Sequence, residues 1–588
     1  MSATFNDISF RHLFFLASLG ICLAIIVAVM IGFFLYGFIK YVKRGLSKKD
    51  GARYGGYLAW EVFWVGTPLF VLMASAFNQI HWALAWVLMV IILQSGFMNI
   101  MKRSPDYKND LKFKGKIDNY FRSLINGLSK FGKRNSILVF IAFVIGSFIS
   151  SFMMYDLCIG IHPFRVSSRY SRKSLGESCP SGEICNFILT VPENLSNSII
   201  VGWHSNDEPI GSFAYYDTTS HSDYFKDGLV MKIENFKNLY GFSVNGTYFE
   251  MDNIRQEEQR YVSWADITGL TPSTVYYIVV GIEKSDGELI FYPERKFRTA
   301  PSDGTPYNFI TGGDMGMTGT GESLSINAAM VEPLFVMLGG DVAYDSGFDS
   351  CYRCWDEWFN RWDTTFITPL GFSLPIITTI GNHEAGGWKS SRGSVQFYTS
   401  YLPFQLGLQN IAPNDRPLQH SHTIGNETII IVMDSWVVDQ IPDQVSWMEQ
   451  VLSDNNNKTF KFALYHIALY PCTKISMDVE ISSLAKEFWG PVFDKYNLTV
   501  GYENHYHLYK RSKQLVNGLE HPNGTLYIGD GSWGVETTMK LRDYDYLEVY
   551  GRIQHVIHSM VNSHNSTVNI ETINIDNEIF DSWERKLK

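Results

Sequence analysis

Long apolar runs dominate the first part of this 588-residue chain. Four of them, at residues 12–39, 58–77, 81–100 and 137–155, reach or approach the roughly 20 residues that an α-helix needs to cross a bilayer. The first run lacks a small-residue cleavage site, so we do not expect a cleaved signal peptide. The pattern predicts a membrane region at residues 1–155 with about four transmembrane α-helices, and hence an integral membrane protein.

Charge and glycosylation signals give this region an orientation. Lysine and arginine cluster between the first two runs and between the last two, at 40–53 and 102–134. The positive-inside rule places both loops in the cytosol, with the anionic headgroups of the lipid bilayer as their expected partner. The remainder of the chain is then extracellular or in the lumen of the secretory or endolysosomal system. All Asn-x-Ser/Thr sequons lie on that side, at Asn194, Asn245, Asn426, Asn457, Asn497, Asn523 and Asn565.

From residue 156 to 300 the pattern changes to short runs in which apolar and polar residues alternate between turn residues. Residues 198–203, 270–281 and 295–299 are typical of strands. Several such strands in sequence predict a β-sandwich. We expect it to be a scaffold beside the domain that follows; the alternative is a binding module in its own right.

Residues 305–588 contain five β-prone apolar runs, each followed by potential metal ligands. The runs are 307–310, 334–338, 376–380, 462–465 and 498–500. The ligand blocks are Gly313-Asp314-Met315-Gly316, Gly340-Asp341-Val342-Ala343-Tyr344, Gly381-Asn382-His383-Glu384, His466 and His505-Tyr506-His507. One block alone is weak evidence, since a single histidine is more often a core residue than a ligand. Because α/β folds build sites on the loops that follow strands, the ordered set predicts one shared site.

Charge divides these ligands into two sets that share Asp341. The hard, anionic set is Asp314, Asp341, Tyr344 and His507, and its three ionised oxygen donors balance Fe(III). The second set is Asp341, Asn382, His466 and His505, and its mostly neutral donors suit a divalent ion: Zn, Mn or Fe(II). A bridging Asp341 would hold the two metals roughly 3.5–4 Å apart, the separation used for displacement at phosphorus by a metal-bound hydroxide. His383 is not needed as a ligand, so it is free to stabilise the transition state or protonate the leaving oxygen.

The five blocks resemble those of the purple acid phosphatases, a branch of the calcineurin-like metallophosphoesterases with the pattern GDxG, GDxxY, GNH(D/E), VxxH and GHxH. The resemblance implies an α/β metallophosphoesterase domain, built as a two-sheet αββα sandwich, after a fibronectin type III-like β-sandwich. It implies that the anionic set binds Fe(III), that Tyr344 is the tyrosinate responsible for the purple colour, and that His383 is catalytic.

The chain departs from this family pattern at three places. The fourth block reads Ala463-Leu464-Tyr465-His466, so its valine is lost but the ligand is kept. Asn504 stands where the fifth block usually has glycine, and we expect it in a tight turn because asparagine tolerates positive φ better than most residues. Residues 470–475, where plant-type members carry further histidines, contain none. The missing histidines leave leaving-group protonation and substrate choice open.

Six of the seven cysteines follow residue 155, in what we expect to be an oxidising compartment; the seventh is Cys22. Cys179–Cys185 would close a short loop. We favour a disulfide for Cys351–Cys354 over a redox pair or half of a zinc site, which leaves Cys158–Cys472 by elimination.

Together these features predict a membrane-anchored acid phosphatase that hydrolyses phosphate monoesters of a small molecule. An acidic optimum follows because a trivalent ion keeps bound water deprotonated well below neutrality. The alternatives are a phosphodiesterase or nucleotide pyrophosphatase with the same site and a catalytically dead membrane receptor. The net charge of −10 and the lack of any recognisable nucleic-acid-binding motif argue against nucleic acid as a partner. Nothing in the sequence indicates the oligomeric state.

Overall fold

The computed structural model describes Leu35 and residues 179–225, 233–251, 259–347, 352–473, 478–537 and 539–587. From residue 179 onward they belong to one compact unit, Leu157–Lys588. The four predicted membrane spans lie outside the described residues, apart from Leu35 in the first run.

The described helices are short. The longest, Tyr352–Thr365, has 14 residues, fewer than the roughly 20 needed to span a bilayer. Within the described part of the chain, no helix is both long and apolar enough to cross a membrane. This finding contradicts the sequence-based prediction of an integral membrane protein.

The first described domain is a β-sandwich, as the alternating pattern predicts. Its strands are β1 (Ile184–Thr190), β2 (Ser198–Ser205), β3 (Gly211–Asp217), β4 (Phe242–Glu250), β5 (Tyr261–Thr268), β6 (Val275–Glu283), β7 (Leu289–Phe291) and β8 (Arg295–Arg298), with helix α1 (Ile233–Leu239) before β4. One layer has the order β1-β2-β5 and the other β3-β6-β7, with β8 on β6, while β4 pairs with both β5 and β3. Val201 of β2 and Val280 of β6 share the core between the layers.

The sandwich is packed against the domain that follows. Every residue of β2 is buried, although the sequence predicts an alternating strand. The second face is covered because His204 packs against Phe359 and Tyr401 of the next domain. Arg260 also makes a buried ion pair with Asp356, at 2.5 Å. The sandwich thus lies in direct contact with the second domain, and its role as a scaffold or as a binding module stays a prediction.

The second domain has two β-sheets that face each other. The first contains the parallel strands β9 (Tyr307–Gly312), β10 (Phe335–Leu338) and β11 (Ile376–Thr378), extended by antiparallel β21 (His555–Asn562), β22 (Thr567–Asn574) and β23 (Ile579–Lys586). The second, in the order β12-β13-β14-β15-β19-β16-β20, contains β12 (His420–Ile424), β13 (Thr428–Val432), β14 (Phe460–Ile467), β15 (Val500–Asn504), β16 (Tyr509–Ser512), β19 (Leu526–Gly529) and β20 (Leu547–Gly551). A small separate pair is formed by β17 (Leu515–Val516) and β18 (Leu519–Glu520).

Helices cover the outer faces of both sheets. The first sheet carries α2 (Gly319–Met330), α3 (Tyr352–Thr365) and α4 (Gln396–Tyr401); the second carries α5 (Val445–Asp454), α6 (Val479–Phe488) and α7 (Gly490–Lys495). Between the sheets, the ring of Phe309 contacts those of Phe335, Phe462 and Tyr502. The layer order is therefore αββα, as the resemblance implies. The five ligand blocks lie at or just beyond the carboxyl ends of β9, β10, β11, β14 and β15.

The cysteines agree only in part with the predicted pairing. Cys179 and Cys185 form the predicted disulfide. Cys472 is instead a buried free thiol, with Sγ 3.4 Å from Asp530 Oδ2. The predicted Cys158–Cys472 bond is therefore wrong, because the Cys472 thiol is engaged in the interior by a carboxylate. Cys158 and Cys351 lie outside the described residues, so the Cys351–Cys354 pairing stays a prediction.

The sequons are accessible in all but one case. Six of the seven asparagines are exposed, and Asn194 is half-buried. Their glycosylation stays a prediction.

Candidate metal centre

Left-handed backbone conformations mark the loops of the site. Five of the predicted ligands have positive φ: Asp314 (57°), Asp341 (52°), Tyr344 (58°), His505 (87°) and His507 (53°). For residues other than glycine this conformation costs roughly 1–2 kcal/mol each. Strain of this kind clusters where the surrounding structure holds functional groups in place.

The second predicted set converges on one point. Ligand atoms of Asp341, His466 and His505 all lie within 4.8 Å of one another. His466 Nε2 is 3.4 Å from Asp341 Oδ2, 3.1 Å from Asn382 Oδ1 and 3.3 Å from His505 Nδ1. The four residues that the sequence assigns to a divalent metal are thus neighbours.

The first predicted set lies around Asp314 and Asp341. His507 Nε2 is 3.0 Å from Asp314 Oδ1, and Asp314 Oδ2 accepts a hydrogen bond from the backbone N–H of His505 at 2.9 Å. Burial and the carboxylates of Asp314 and Asp341 raise the pKa of Tyr344 well above its ordinary value. Tyr344 therefore stays neutral unless a metal cation lies beside it and offsets the negative charge of these carboxylates.

Two buried oxygen atoms test whether this donor set fits metal ions. Among the residues that the structure describes, neither the buried Asp341 Oδ2 nor the buried Tyr344 hydroxyl has a hydrogen-bond partner, although His466 Nε2 lies 3.4 Å from Asp341 Oδ2. Buried polar atoms are nearly always paired, so two unpaired oxygens in one cluster require an explanation. Cations would satisfy both, and carboxylate, phenol, amide and imidazole donors are ligands that iron and zinc accept. The residues present fit a metal centre.

Electrostatics in the cluster favour positive charge. Burial alone would lower the pKa of His466, but the carboxylates of Asp341 and Asp314 raise it to about 10. Burial likewise opposes ionisation of Asp341, yet His466 and His383 hold its pKa below the ordinary range. The two buried carboxylates thus draw positive charge into the site.

Backbone groups orient the ligands from behind. His466 Nδ1 lies 2.7 Å from the carbonyl oxygen of Gly339, which can only accept, so Nε2 is left to face the cluster. Glu384 accepts backbone hydrogen bonds from Gly381, Asp341 and Val342 at 2.7–2.9 Å. The sequence shows Glu384 as part of the third block but gives no sign that it holds the second.

Asn504 does not adopt the conformation that we predicted. It is the last residue of β15 and is not among the residues with positive φ; His505 takes that conformation instead. The buried Asn504 side chain donates through Nδ2 to the carbonyl oxygen of Tyr465 at 3.0 Å. It occupies the space that a Cβ on Gly339 or Gly313 would enter, at 2.0 and 2.6 Å respectively. Asparagine is therefore accommodated here by two glycines from distant segments, Gly313 of the first block and Gly339 directly before the second.

His383 lies at the accessible side of the cluster. Its side chain is 37% exposed, and its ring stacks on Tyr344 with 4.8 Å between centroids. Its backbone N–H donates to Asp341 Oδ1 at 2.7 Å, while its Nε2 is 4.0 Å from Asp341 Oδ2. The imidazole is thus beside both ligand sets and reachable from solvent, but its catalytic role stays a prediction.

Two neighbours of the site were not singled out from the sequence. Asp478 lies 3.1 Å from His505 Nε2, and Trp388 donates to Asp478 at 2.8 Å. No spacing links Asp478 to the five blocks, because only the packing of α6 brings it there. Trp388 follows the third block closely, and that proximity is the one signal the sequence offered.

The fold and the site together indicate the structural class of the protein. The chain has a metallophosphoesterase-type α/β fold with a β-sandwich N-terminal domain. The solved structure of a purple acid phosphatase from yellow lupin (Lupinus luteus) seeds has the same fold, with a TM-score of 0.54 at 15% identity over 68% of this chain and 74% of that one.

Sequence comparisons point to one family within the metallophosphoesterases. Residues 184–299 match the family profile described as "Purple acid Phosphatase, N-terminal domain". Purple acid phosphatase 18 of Arabidopsis thaliana is 25% identical over 356 residues, which cover 58% of this chain and 71% of the relative. The Fe(3+)-Zn(2+) purple acid phosphatase 12 of the same plant is 26% identical over 301 residues, 47% of this chain and 61% of the relative. These comparisons support the purple acid phosphatase family, as the five blocks predict.

Proposed function

We propose that the protein is a metal-dependent phosphatase that hydrolyses phosphate monoesters at the cluster around Asp341. The observation that carries the proposal is the convergence of Asp341, His466 and His505 within 4.8 Å, next to the Asp314–His507 pair. The phosphatase relatives supply the substrate class, a phosphorylated compound.

Asp314, Asp341, Tyr344 and His507 would hold Fe(III), and Asp341, Asn382, His466 and His505 a divalent ion. Such a pair supplies a nucleophile from bound water and orients the phosphate. One Arabidopsis relative is named as an Fe(3+)-Zn(2+) enzyme, which favours zinc as the divalent ion.

The chain's own residues provide the remaining functions. Buried Asp314 and Asp341 keep the cluster negative, so that cations and, through them, an anionic phosphate bind. His383 is partly exposed at the edge of the cluster, where its imidazole can contact a phosphate or leaving-group oxygen. Since the described residues around His466 offer no further histidine beyond those of the five blocks, His383 is our candidate for leaving-group protonation.

The test is hydrolysis of p-nitrophenyl phosphate by the purified full chain, loaded with iron and zinc, across pH 4–8. We expect a preference for the monoester over bis(p-nitrophenyl) phosphate, and a loss of at least about 100-fold in kcat/KM for Asp341→Asn. Asp415→Asn, at an exposed aspartate, is the control and should leave the activity unchanged.

Two outcomes would contradict the proposal in different ways. A clear preference for the bis-ester would indicate a phosphodiesterase with the same site. A chain that holds two metals and hydrolyses neither ester would indicate a non-catalytic relative.

A further inference from the structure

Asp478 is a buried carboxylate that divides its two oxygen atoms between the metal centre and a tryptophan. It lies directly before α6 and is only 5% exposed. Its Oδ2 is 3.1 Å from His505 Nε2, and its Oδ1 accepts the hydrogen bond from Trp388 Nε1 at 2.8 Å. The carboxylate is therefore fixed in orientation from both sides.

This contact decides which nitrogen of His505 faces the cluster. Asp478 engages Nε2, so the proton of the neutral imidazole lies there and Nδ1 keeps its lone pair. Nδ1 is the atom that lies 3.3 Å from His466 Nε2, inside the ligand cluster. A carboxylate behind a ligating histidine fixes the tautomer and raises the basicity of the metal-facing nitrogen.

The two histidines of the second set differ in what stands behind them. His466 is backed by a neutral acceptor, the carbonyl of Gly339. His505 is backed by a charged one. A divalent ion in this site would receive a single negative charge, that of Asp341, because Asn382 and the two imidazoles are neutral. Asp478 supplies a second negative charge from behind His505, without contacting the ion itself.

Trp388, which lies shortly after the third block, packs against both histidines of the second set. Its ring lies edge to face with the His505 ring, at 5.0 Å between centroids, and 5.8 Å from the His466 ring. The next residue, Lys389, pairs with Glu480 of α6 at 3.2 Å on the exposed surface. The segment of Trp388 and Lys389 and the start of α6 therefore make two contacts. One is buried and includes the predicted metal ligand His505, and the other is exposed and includes no metal ligand.

We propose that Asp478, oriented by Trp388, is a positioning residue that tightens binding of the divalent ion by fixing His505. The inference rests on the proposed metal centre and goes beyond it, because it assigns a residue outside the five blocks to one of the two sites. Asp478 contacts His505 and is not expected to act on the site that contains Tyr344.

The test is Asp478→Asn in the full chain. An asparagine either turns its NH2 towards His505, which moves the imidazole proton to Nδ1, or turns it towards Trp388 and loses that hydrogen bond. The chain is first loaded with iron and then titrated with Zn²⁺. We expect zinc affinity to fall about 10- to 100-fold, while the iron content and the visible tyrosinate band remain as in the wild type.

Two further variants keep the test specific. Trp388→Phe retains the ring and removes only the N–H, so we expect a smaller, several-fold loss of zinc affinity. Glu480→Gln breaks the exposed pair between the same segments and should leave zinc affinity unchanged. If Asp478→Asn does not fold, Trp388→Phe decides the question.

The outcomes separate this inference from the proposed function. A wild-type chain that binds iron and zinc, with Asp478→Asn and Trp388→Phe within threefold of its zinc affinity, overturns the inference alone. A wild-type chain that binds neither metal overturns the metal centre and the inference with it. Equal loss of iron and zinc in Asp478→Asn would show a general structural role and would also overturn it.

Discussion

Asn504 fits behind the metal centre because Gly339 has no side chain, and this pair yields a quantitative prediction. A Cβ at position 339 would lie 2.0 Å from both Cγ and Nδ2 of Asn504, whereas ordinary contact begins at 3.4 Å. In Gly339→Ala one of the two residues must therefore move by about 1.4 Å (3.4 − 2.0). Gly339 does not have positive φ, so alanine brings no backbone strain of its own.

The expected destabilisation has two parts. Overpacking a close-packed interior reduces the free energy of unfolding by roughly 1–3 kcal/mol. Displacing Asn504 also breaks its hydrogen bond to the buried carbonyl of Tyr465, which adds about 1–3 kcal/mol. We expect a loss of about 3 kcal/mol for Gly339→Ala and about 2 kcal/mol for Asn504→Gly. Because both parts of the Gly339→Ala effect act through the Asn504 side chain, the double variant should lose only about 2 kcal/mol, as Asn504→Gly does alone, rather than the sum of about 5.

The assay is urea unfolding of the metal-free full chain at pH 7.5 for all four members of this cycle. An interaction energy of about 3 kcal/mol is expected. If the two single effects add to within about 0.5 kcal/mol, the two side chains do not compete for the same space and the explanation of Asn504 is wrong. Gly339→Ala should also weaken metal binding, since the carbonyl of Gly339 orients His466.

Three further predictions follow from other parts of the molecule. His383→Ala should lower kcat for p-nitrophenyl phosphate by about 100-fold or more while metal content, measured by mass spectrometry, is unchanged; loss of metal instead would make His383 a ligand. Burial lowers the pKa values of His422 and His555 to about 4, so both stay neutral in the folded chain while the unfolded chain takes up protons below about pH 6.5. The free energy of unfolding is therefore highest above pH 6.5 and falls towards pH 4, by up to about 3 kcal/mol per histidine. Denaturation midpoints that do not change over this range would contradict the conclusion that both histidines are buried and neutral. Arg260→Met should destabilise the fold by about 3 kcal/mol because Asp356 is left buried without its cation, whereas thermal unfolding at the wild-type temperature would show that the ion pair contributes little to the contact between the domains.

Much of the fold and site could be predicted because the ligands follow strands. Apolar runs before Asp314, Asp341 and Asn382 become β9, β10 and β11, and parallel strands place their carboxyl ends at one edge. His466 differs slightly, since it lies within the last two residues of β14 rather than beyond it. The order of the blocks therefore carried most of the information about which residues meet.

Contacts between distant segments could not be predicted in this way. Asn504 appeared to need positive φ because its own block usually has glycine there, and nothing local showed that Gly339 and Gly313 provide room for its side chain. Asp478 reaches His505 through the packing of α6, and Cys472 meets Asp530 through the packing around β16 and β19. Such pairings depend on tertiary packing, which no spacing along the chain encodes.

The central claim is that two metal ions of different charge are bound around Asp341, with Tyr344 on iron. The most direct measurement is the metal content and visible spectrum of the purified full chain beside Tyr344→Phe. We predict about two metal ions per chain, at least one of them iron, and a visible charge-transfer band that disappears in Tyr344→Phe while iron is retained. Less than about one metal per chain without visible absorption, or a band that survives in Tyr344→Phe, would contradict the claim.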